Sequence, residues 1–405
     1  MEKQNRYWLL YLIEFVGVAG VTTLTPILPF FVKHIGGTIS QMGIVMALMP
    51  LTSITIGPIV GYMSDRVGRR PILIISLVGI AIWYGLFALA TNIIPVYIGQ
   101  LIGGIFAAGA VAVVTAYAAE TAGANMGGTI AKLQAAQMLG ALIPPLAAGY
   151  LATVSLALPY VVLTGLTLVV LVLCIFFLHE SLTPEVLAKA QSERVSAGKV
   201  LTDSFGKIFG YLKTPLGALL LIAFLIAFPT GFFEATLSLL VSNLGLGTID
   251  AGIIFSSGVL LAVIANVTVV GPLIKRFGEW SHIIFGMVCA AIFYVALPLA
   301  GSFIALLVVN SLLTITTTSM RPAHMSLIAK NSPESEQALS QSAYNQWTQI
   351  GRVFGPPLGT SIYSAYGGLM TYIVAAVLFV GAAGYTYSVS RKSKGTAVQV
   401  GAPNS

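Results

Sequence analysis

Gly61-Tyr-Met-Ser-Asp65-Arg66-Val-Gly68-Arg69-Arg70-Pro71 is a short polar stretch set between two long apolar runs, at roughly 40–63 and 72–91. Each run is long enough to cross a bilayer, which takes about 20 residues in a helix. The polar stretch therefore sits where two membrane helices turn around. Glycines at 61 and 68 let helix ends approach closely, and an acid at 65 can lie against a helix N-terminus. Three arginines in five positions mark a cytoplasmic face.

Composition extends this reading to the whole chain. Hydrophobic residues make up 57% and charged residues 8%, with a mean hydropathy of +0.92, which excludes a soluble domain and implies an all-α integral membrane protein. Twelve apolar runs follow one another, roughly 7–32, 40–63, 72–91, 94–118, 131–152, 157–178, 215–242, 249–274, 281–300, 302–326, 338–364 and 367–389. The expected organisation is a six-span bundle over 1–178, a cytoplasmic linker over 179–213, a second bundle over 214–390 and a tail over 391–405. The linker carries Lys189, Arg194, Lys199, Lys207 and Lys213 with Glu180, Glu185, Glu193 and Asp203, and reads as partly helical along the membrane surface.

The pI near 9.3 follows topology and not nucleic-acid binding, because among the cations only Lys33 falls in a segment expected outside. An even span count, with Lys3 and Arg6 at one end and Arg391, Lys392 and Lys394 at the other, puts both termini in the cytoplasm. The first span has no small-residue cleavage site and reads as uncleaved. Cys174 and Cys289 lie in different apolar runs and offer neither a disulfide framework nor a metal-ligand spacing.

The halves repeat. At an offset of 210, Gly61 lands on Gly271 and the second copy reads Gly271-Pro-Leu-Ile-Lys275-Arg276-Phe-Gly278, with Lys275 in place of Asp65. At an offset of 211, Gly140-Ala-Leu-Ile-Pro144-Pro145-Leu-Ala-Ala-Gly149 overlays Gly351-Arg352-Val-Phe-Gly355-Pro356-Pro357-Leu-Gly359. Proline inside a spanning helix permits a bend, and glycine lets a neighbouring helix seal against it. Two related bundles place the expected substrate path between them near the bilayer midplane.

The 61–71 stretch resembles, position for position, the signature loop between the second and third helices of the major facilitator superfamily of secondary transporters. The fifth-span run resembles the antiporter signature of drug and proton exchangers, with Pro144 and Ala148 in place of two of its glycines. Pro26-Ile27-Leu28-Pro29 resembles the P-x-x-P element at the outer end of helix 1 in twelve-span drug exporters. Over nearly its whole length the chain resembles the NorA and Bmr type of Gram-positive multidrug efflux pump. The resemblance implies a monomer, and it implies that Gly61, Asp65, Arg66, Gly68, Arg69 and Arg70 form a conformational switch in which Asp65 secures the start of the eleventh span. That start follows Asn331-Ser332-Pro333-Glu334-Ser335-Glu336.

Charges within the spans point to mechanism, since each costs about 2.5 to 3.5 kcal/mol at a helix centre on insertion scales. They are Glu14, Glu234, Arg321 and Arg352. Glu234, in Phe232-Phe233-Glu234, has aromatic neighbours that would dehydrate it, which suits a group that takes up and releases protons. In the family a helix 7 glutamate is implicated in proton coupling, and it maps onto Glu234. The family's helix 10 acid corresponds here to Thr318 and its helix 4 arginine to Gln100, so neither is retained.

Arg352 is open to two roles, pairing with Glu234 or facing an anionic substrate group. Glu14 is read either as a second proton-coupling and cavity acid that attracts lipophilic cations, or as a residue reaching cytoplasmic water. Arg321 and His324 read as polar residues near the inner end of the tenth span. The expected cavity comprises Glu14, Phe15, Phe232, Phe233, Tyr344, Asn345, Gln349 and Arg352. The eleventh span supplies its polar face, through Ser342, Asn345, Gln346, Gln349 and Arg352.

No enzyme constellation, cofactor motif or metal spacing appears, and no Walker A run supports ATP-driven export. The expected activity is antiport of protons for amphiphilic, cationic drugs across the inner membrane, the protein meeting only small substrates, protons and lipid. A dedicated exporter of one sugar, amino acid or siderophore uses the same scaffold, and a non-transporting sensor is the remote alternative.

Overall fold

A computed structural model of the chain describes residues 7–192, 196–214, 216–333 and 336–400. Lys3, Arg6, Glu193, Arg194, Glu334 and Ser335, cited above, lie outside them. The described elements are helical. Six long helices come first: α1 (Tyr7–His34), α2 (Ile39–Val67), α3 (Arg69–Ala88), α4 (Ile93–Thr121), α5 (Met126–Val154) and α6 (Leu158–Phe177). Two short linker helices follow, α7 (Pro184–Ser192) and α8 (Ala197–Gly210). Then come α9 (Leu216–Asn243), α10 (Thr248–Ala265), α11 (Gly271–Phe277), α12 (Glu279–Ala296), α13 (Phe303–Lys330) and α14 (Gln337–Val400).

Eleven of the described helical stretches are long and apolar enough to cross a membrane. The difference from twelve has a local cause. Residues Leu339–Lys392 form one stretch of 54 residues, room for two crossings of about 20 residues each. They are separated at Gly367, whose φ of 80° lies in the left-handed region that favours glycine. Conversely, α10 and α11 join through a π-helical turn, Asn266–Val270, into one span of 30 residues.

Packing divides the chain into two units. Unit 1 comprises Met1–Lys207 with Leu237–Ser256, and unit 2 comprises Ile208–Thr236 with Ser257–Ser405. In unit 1, α1 packs along α5, α2 and α3 pack on α4, and α3 packs on α6. Its centre is aromatic: Phe31, Trp83, Tyr84, Phe87 and Tyr160 are buried together, and the Tyr84 hydroxyl donates to the Val16 carbonyl. The end of α9 and the start of α10 join this unit through Ser238 Oγ to Thr25 O (2.8 Å), Thr248 Oγ1 to Gly149 O (2.9 Å) and Ser256 Oγ to Leu142 O (2.8 Å).

In unit 2, α12 packs on both α13 and α14 around Tyr294, Tyr372 and Phe379. The glycine and proline run of α14 lies directly on α9. A Cβ at Gly355 would sit 2.3 Å from the Phe228 carbonyl oxygen, and one at Gly351 would sit 2.9 Å from the Phe228 nitrogen. Small residues at this contact let the backbones meet and set the spacing of every side chain between the two helices. Gly355→Val should therefore lower stability by roughly 1 to 3 kcal/mol through overpacking, read as a lower melting temperature in detergent. An unchanged melting temperature would contradict the close contact.

Candidate functional site

The contact between α9 and α14 brings Glu234 and Arg352 together. Arg352 Nη2 donates to Glu234 Oε1 at 2.6 Å, with the side chains 39% and 25% exposed, so the pair is partly open and not sealed. Along α14, Ser342 and Asn345 are exposed and Gln349 and Arg352 half-buried, forming one polar face, while Tyr344, Trp347, Gly351 and Gly355 are buried on the other. Successive residues on a helix are about 100° apart, which produces this division.

The same rotation corrects the expectation for two aromatics. Phe232 is fully buried, packed on Phe228 at 5.4 Å between ring centres, and Phe233 is 9% exposed against Tyr294 at 6.1 Å. Both lie in the interior of unit 2, turned away from Glu234 by about 200° and 100° around α9. Adjacency in sequence does not place them beside the carboxylate. Tyr344 is also buried, edge-on to His324 at 5.0 Å, and a His324 ring nitrogen meets the Leu219 carbonyl at 2.8 Å. Thr318, the counterpart of the helix 10 acid that the resemblance implied, accepts from Asn266 Nδ2 at 3.2 Å beside the π-helical turn.

Unit 1 holds a second acid. Glu14 is 1% exposed and accepts from Gln137 Nε2 of α5 at 2.8 Å, and its Oε1 has no hydrogen-bond partner among the described residues. Burial removes the alternative in which it reaches cytoplasmic water. Phe15 is half-buried, and its backbone lies against Gly140, where a Cβ would meet the Phe15 carbonyl at 2.9 Å. Thr22 Oγ1, about two turns further along α1, donates to the Gly140 carbonyl at 2.7 Å and ties the same two helices. Pro26 and Pro29 are buried within α1, and Pro144 and Pro145 within α5. Gln100 is buried, its Oε1 without a partner among the described residues.

The arginine-rich turn forms a network inside unit 1. Gly68 takes φ 109°, which ends α2 and starts α3. Arg69, 8% exposed, pairs with Asp65 at 2.6 Å and with Glu120 of α4 at 2.7 Å, and donates to Ser64 Oγ at 2.5 Å. Arg66 lies over the Tyr62 ring at 4.6 Å, and Arg70 donates to the Ile175 carbonyl at 2.7 Å. The acid on the α3 N-terminus is Glu180 and not Asp65: its two oxygens accept from Arg69 N (2.9 Å) and Arg70 N (3.1 Å). These are first-turn N–H groups with no intrahelical partner. Ser181 Oγ donates to Glu120 at 2.6 Å, and Gln191 of α7 donates to the Arg66 carbonyl at 3.1 Å, so the start of the linker is fastened to this turn.

Unit 2 repeats the turn with its charges reversed. Gly278 takes φ 82° between α11 and α12, and Glu279 pairs with Lys330 and accepts from Ser326 Oγ at 2.9 Å. Arg69 and Glu120 lie 210 residues before Glu279 and Lys330, the offset that turns Asp65 into Lys275. Glu120 and Gln137 escaped the sequence reading, and Glu180 was read only as a linker charge. For Glu120 a signal was present: a pair of opposite charges 51 residues apart recurs inverted in the second half.

The family model described as Major Facilitator Superfamily matches this chain over residues 10–316 and 219–402. Among curated proteins, the chain is 27% identical to Multidrug resistance protein 2 of Bacillus subtilis, over 86% of each chain. It is 28% identical to the class C Tetracycline resistance protein of Escherichia coli, over 89% of this chain and 91% of that one. Among solved structures, the nucleoside transporter NupG aligns with a TM-score of 0.76 at 14% identity, covering 95% of this chain and 99% of that one.

Removing one partner of a partly desolvated ion pair strands the other. Arg352→Gln and Glu234→Gln should each cost about 1 to 3 kcal/mol, below the range for fully buried pairs because both groups touch solvent. The double variant should cost less than the sum of the singles. Melting of all four proteins in detergent measures this, and strict additivity would mean the pair carries no coupling.

Proposed function

Because the chain belongs to the major facilitator superfamily, we propose that it is a proton-coupled antiporter that exports amphiphilic drugs by alternating access. The observation that carries this reading is the Glu234–Arg352 pair, joined by a single 2.6 Å hydrogen bond and still partly exposed. One carboxylate then has three competitors: Arg352, a proton and the cationic part of a substrate. Whichever two are excluded must leave, and the exclusion of proton by substrate at a shared group is what antiport requires. Glu14, buried without a cation against it, is the second proton-coupling acid on this reading. Its one amide donor leaves an oxygen ready for a proton or a substrate cation.

Asn345 and Gln349 continue the polar face of α14 from Arg352 and serve as substrate contacts, and Phe15 serves as an apolar one beside Glu14. Gly61, Asp65, Arg66, Gly68, Arg69 and Arg70 act as the conformational switch, with Glu120 and Glu180 as the partners that hold its resting arrangement. The protein works as a monomer in the cytoplasmic membrane with both termini inside. The names of the relatives in Bacillus subtilis and Escherichia coli, multidrug and tetracycline resistance, support drugs as the substrate class.

Inverted membrane vesicles with an imposed pH gradient test this. The wild type should accumulate a lipophilic dye only while the gradient stands, and Glu234→Gln should lower gradient-driven uptake at least about tenfold, the expected size for a group that carries the coupled proton. A Glu234→Gln variant that matches the wild type would move the coupling site elsewhere.

A further inference from the structure

The two glycine turns share a backbone geometry but not a charge balance. In unit 1 the cations Arg66, Arg69 and Arg70 stand with Asp65, Glu120 and Glu180, three against three. In unit 2 the corresponding positions bring Lys275, Arg276 and Lys330 against Glu279 alone, and Glu279 is taken by Lys330. The offset of 210 puts Ser390 where unit 1 has Glu180, so the acid that fastens the first turn is missing from the second. A Cβ at Gly68 would sit 2.5 Å from a Glu180 carboxylate oxygen, whereas nothing among the described residues lies within 4 Å of one at Gly278. Of the other described acids in unit 2, Glu234 pairs with Arg352 and Glu336 accepts from Tyr211 at 3.3 Å.

More cations gather at this end. Along the antiparallel contact of α12 and α14, Tyr294 stacks on Phe379 at 5.3 Å, and further along Met287 meets Thr386 at 3.5 Å. Continued by little more than one turn, this register brings Arg391 and Lys392 to the first turn of α12. Lys275, Arg276, Arg391 and Lys392 are all exposed, and Lys275 has no hydrogen bond or ion pair among the described residues. Arg276 and Arg391 lie over the rings of Phe277 and Tyr387 at 5.4 and 5.5 Å, and those rings are themselves 56% and 50% exposed.

Depth decides what covers this surface. The span Thr248–Phe277 has 30 residues, about 45 Å of helix, which is the thickness of a bilayer with its headgroups. Lys275, Arg276 and Phe277 lie in its last turn and so reach the headgroup level of one leaflet. The span Glu279–Leu299 begins and the span Phe303–Lys330 ends at the same level, joined by the Glu279–Lys330 pair. Deeper along the first of these helices, Val267 and Val269 are strongly exposed, an apolar surface below the cations. Cations at phosphate level above exposed apolar side chains fit a whole phospholipid better than a free anion.

We propose that the α11–α12 turn, with Arg391 and Lys392, is a binding site for an anionic phospholipid headgroup. The lipid phosphate neutralises this turn as the Glu180 carboxylate neutralises its counterpart. The site does not depend on which substrate the protein moves.

Purified protein in a neutral detergent, titrated with dioleoylphosphatidylglycerol, dioleoylphosphatidylcholine or inorganic phosphate while its melting temperature is read, tests the site. Phosphatidylglycerol should stabilise the wild type with a half-saturation at least about tenfold below that of phosphatidylcholine, because each cation near an anionic headgroup contributes roughly a fivefold factor. Inorganic phosphate at the same concentration should not. Lys275→Gln combined with Arg276→Gln should raise the phosphatidylglycerol half-saturation by about tenfold or more. Lys189→Gln combined with Lys199→Gln, which removes two exposed cations of the linker, should leave it unchanged. The readout is a concentration, so a variant that melts lower without lipid still reports on the site. An equal response to the two lipids, an unaltered half-saturation in the turn variant or an equal loss in the linker variant overturns the proposal. A wild type stabilised as strongly by inorganic phosphate also overturns it, since the turn would then hold a free anion and not a lipid.

Discussion

The ion pair between Glu234 and Arg352 is the interaction on which the proposed function turns. Each charge is costly alone within a span, so each favours the other or a substitute. A pair that is sealed would be purely structural. This one is held by a single hydrogen bond and remains partly exposed, as the proposed exchange requires. Its geometry depends in turn on Gly351, Gly355 and Gly359, which let α14 lie against the backbone of α9. Without that approach the two side chains would not share one hydrogen-bond length.

A second constraint governs the helix ends at the two glycine turns. Each half turns through a glycine with positive φ, Gly68 and Gly278, and fastens the turn by an ion pair to a helix end 51 residues on. The signs are opposite in the two halves. Duplication explains the shared backbone geometry, and the reversal of Asp65, Arg69 and Glu120 to Lys275, Glu279 and Lys330 preserves the attraction within each half while changing its outward charge. Unit 1 adds a fastening without a counterpart among the described contacts of unit 2: Glu180 on the α3 N-terminus, at the entry to the linker.

Much of this was legible in the sequence because membranes impose coarse rules. Apolar runs of about 20 residues give the spans, the arginine-rich stretch gives the turn between the second and third of them, and the 210-residue offset gives the repeat. Glu234 and Arg352 stood out as charges in apolar surroundings, and their pairing was among the roles considered. What escaped was set by rotation about helix axes. Phe232 and Phe233 flank Glu234 in the chain yet face the interior, because two residues of helix turn a side chain by about 200°. Gln137, Glu120 and Glu180 are brought in from 51 to 123 residues away, by helix packing that no local pattern encodes.

The most direct test is the affinity of purified protein for a transported amphiphile, measured across pH for the wild type. If proton and substrate compete for one carboxylate, affinity should fall with a limiting slope of about tenfold per pH unit on the acid side, as one-proton linkage requires. An affinity indifferent to pH would show that binding and protonation are independent, and would contradict the account.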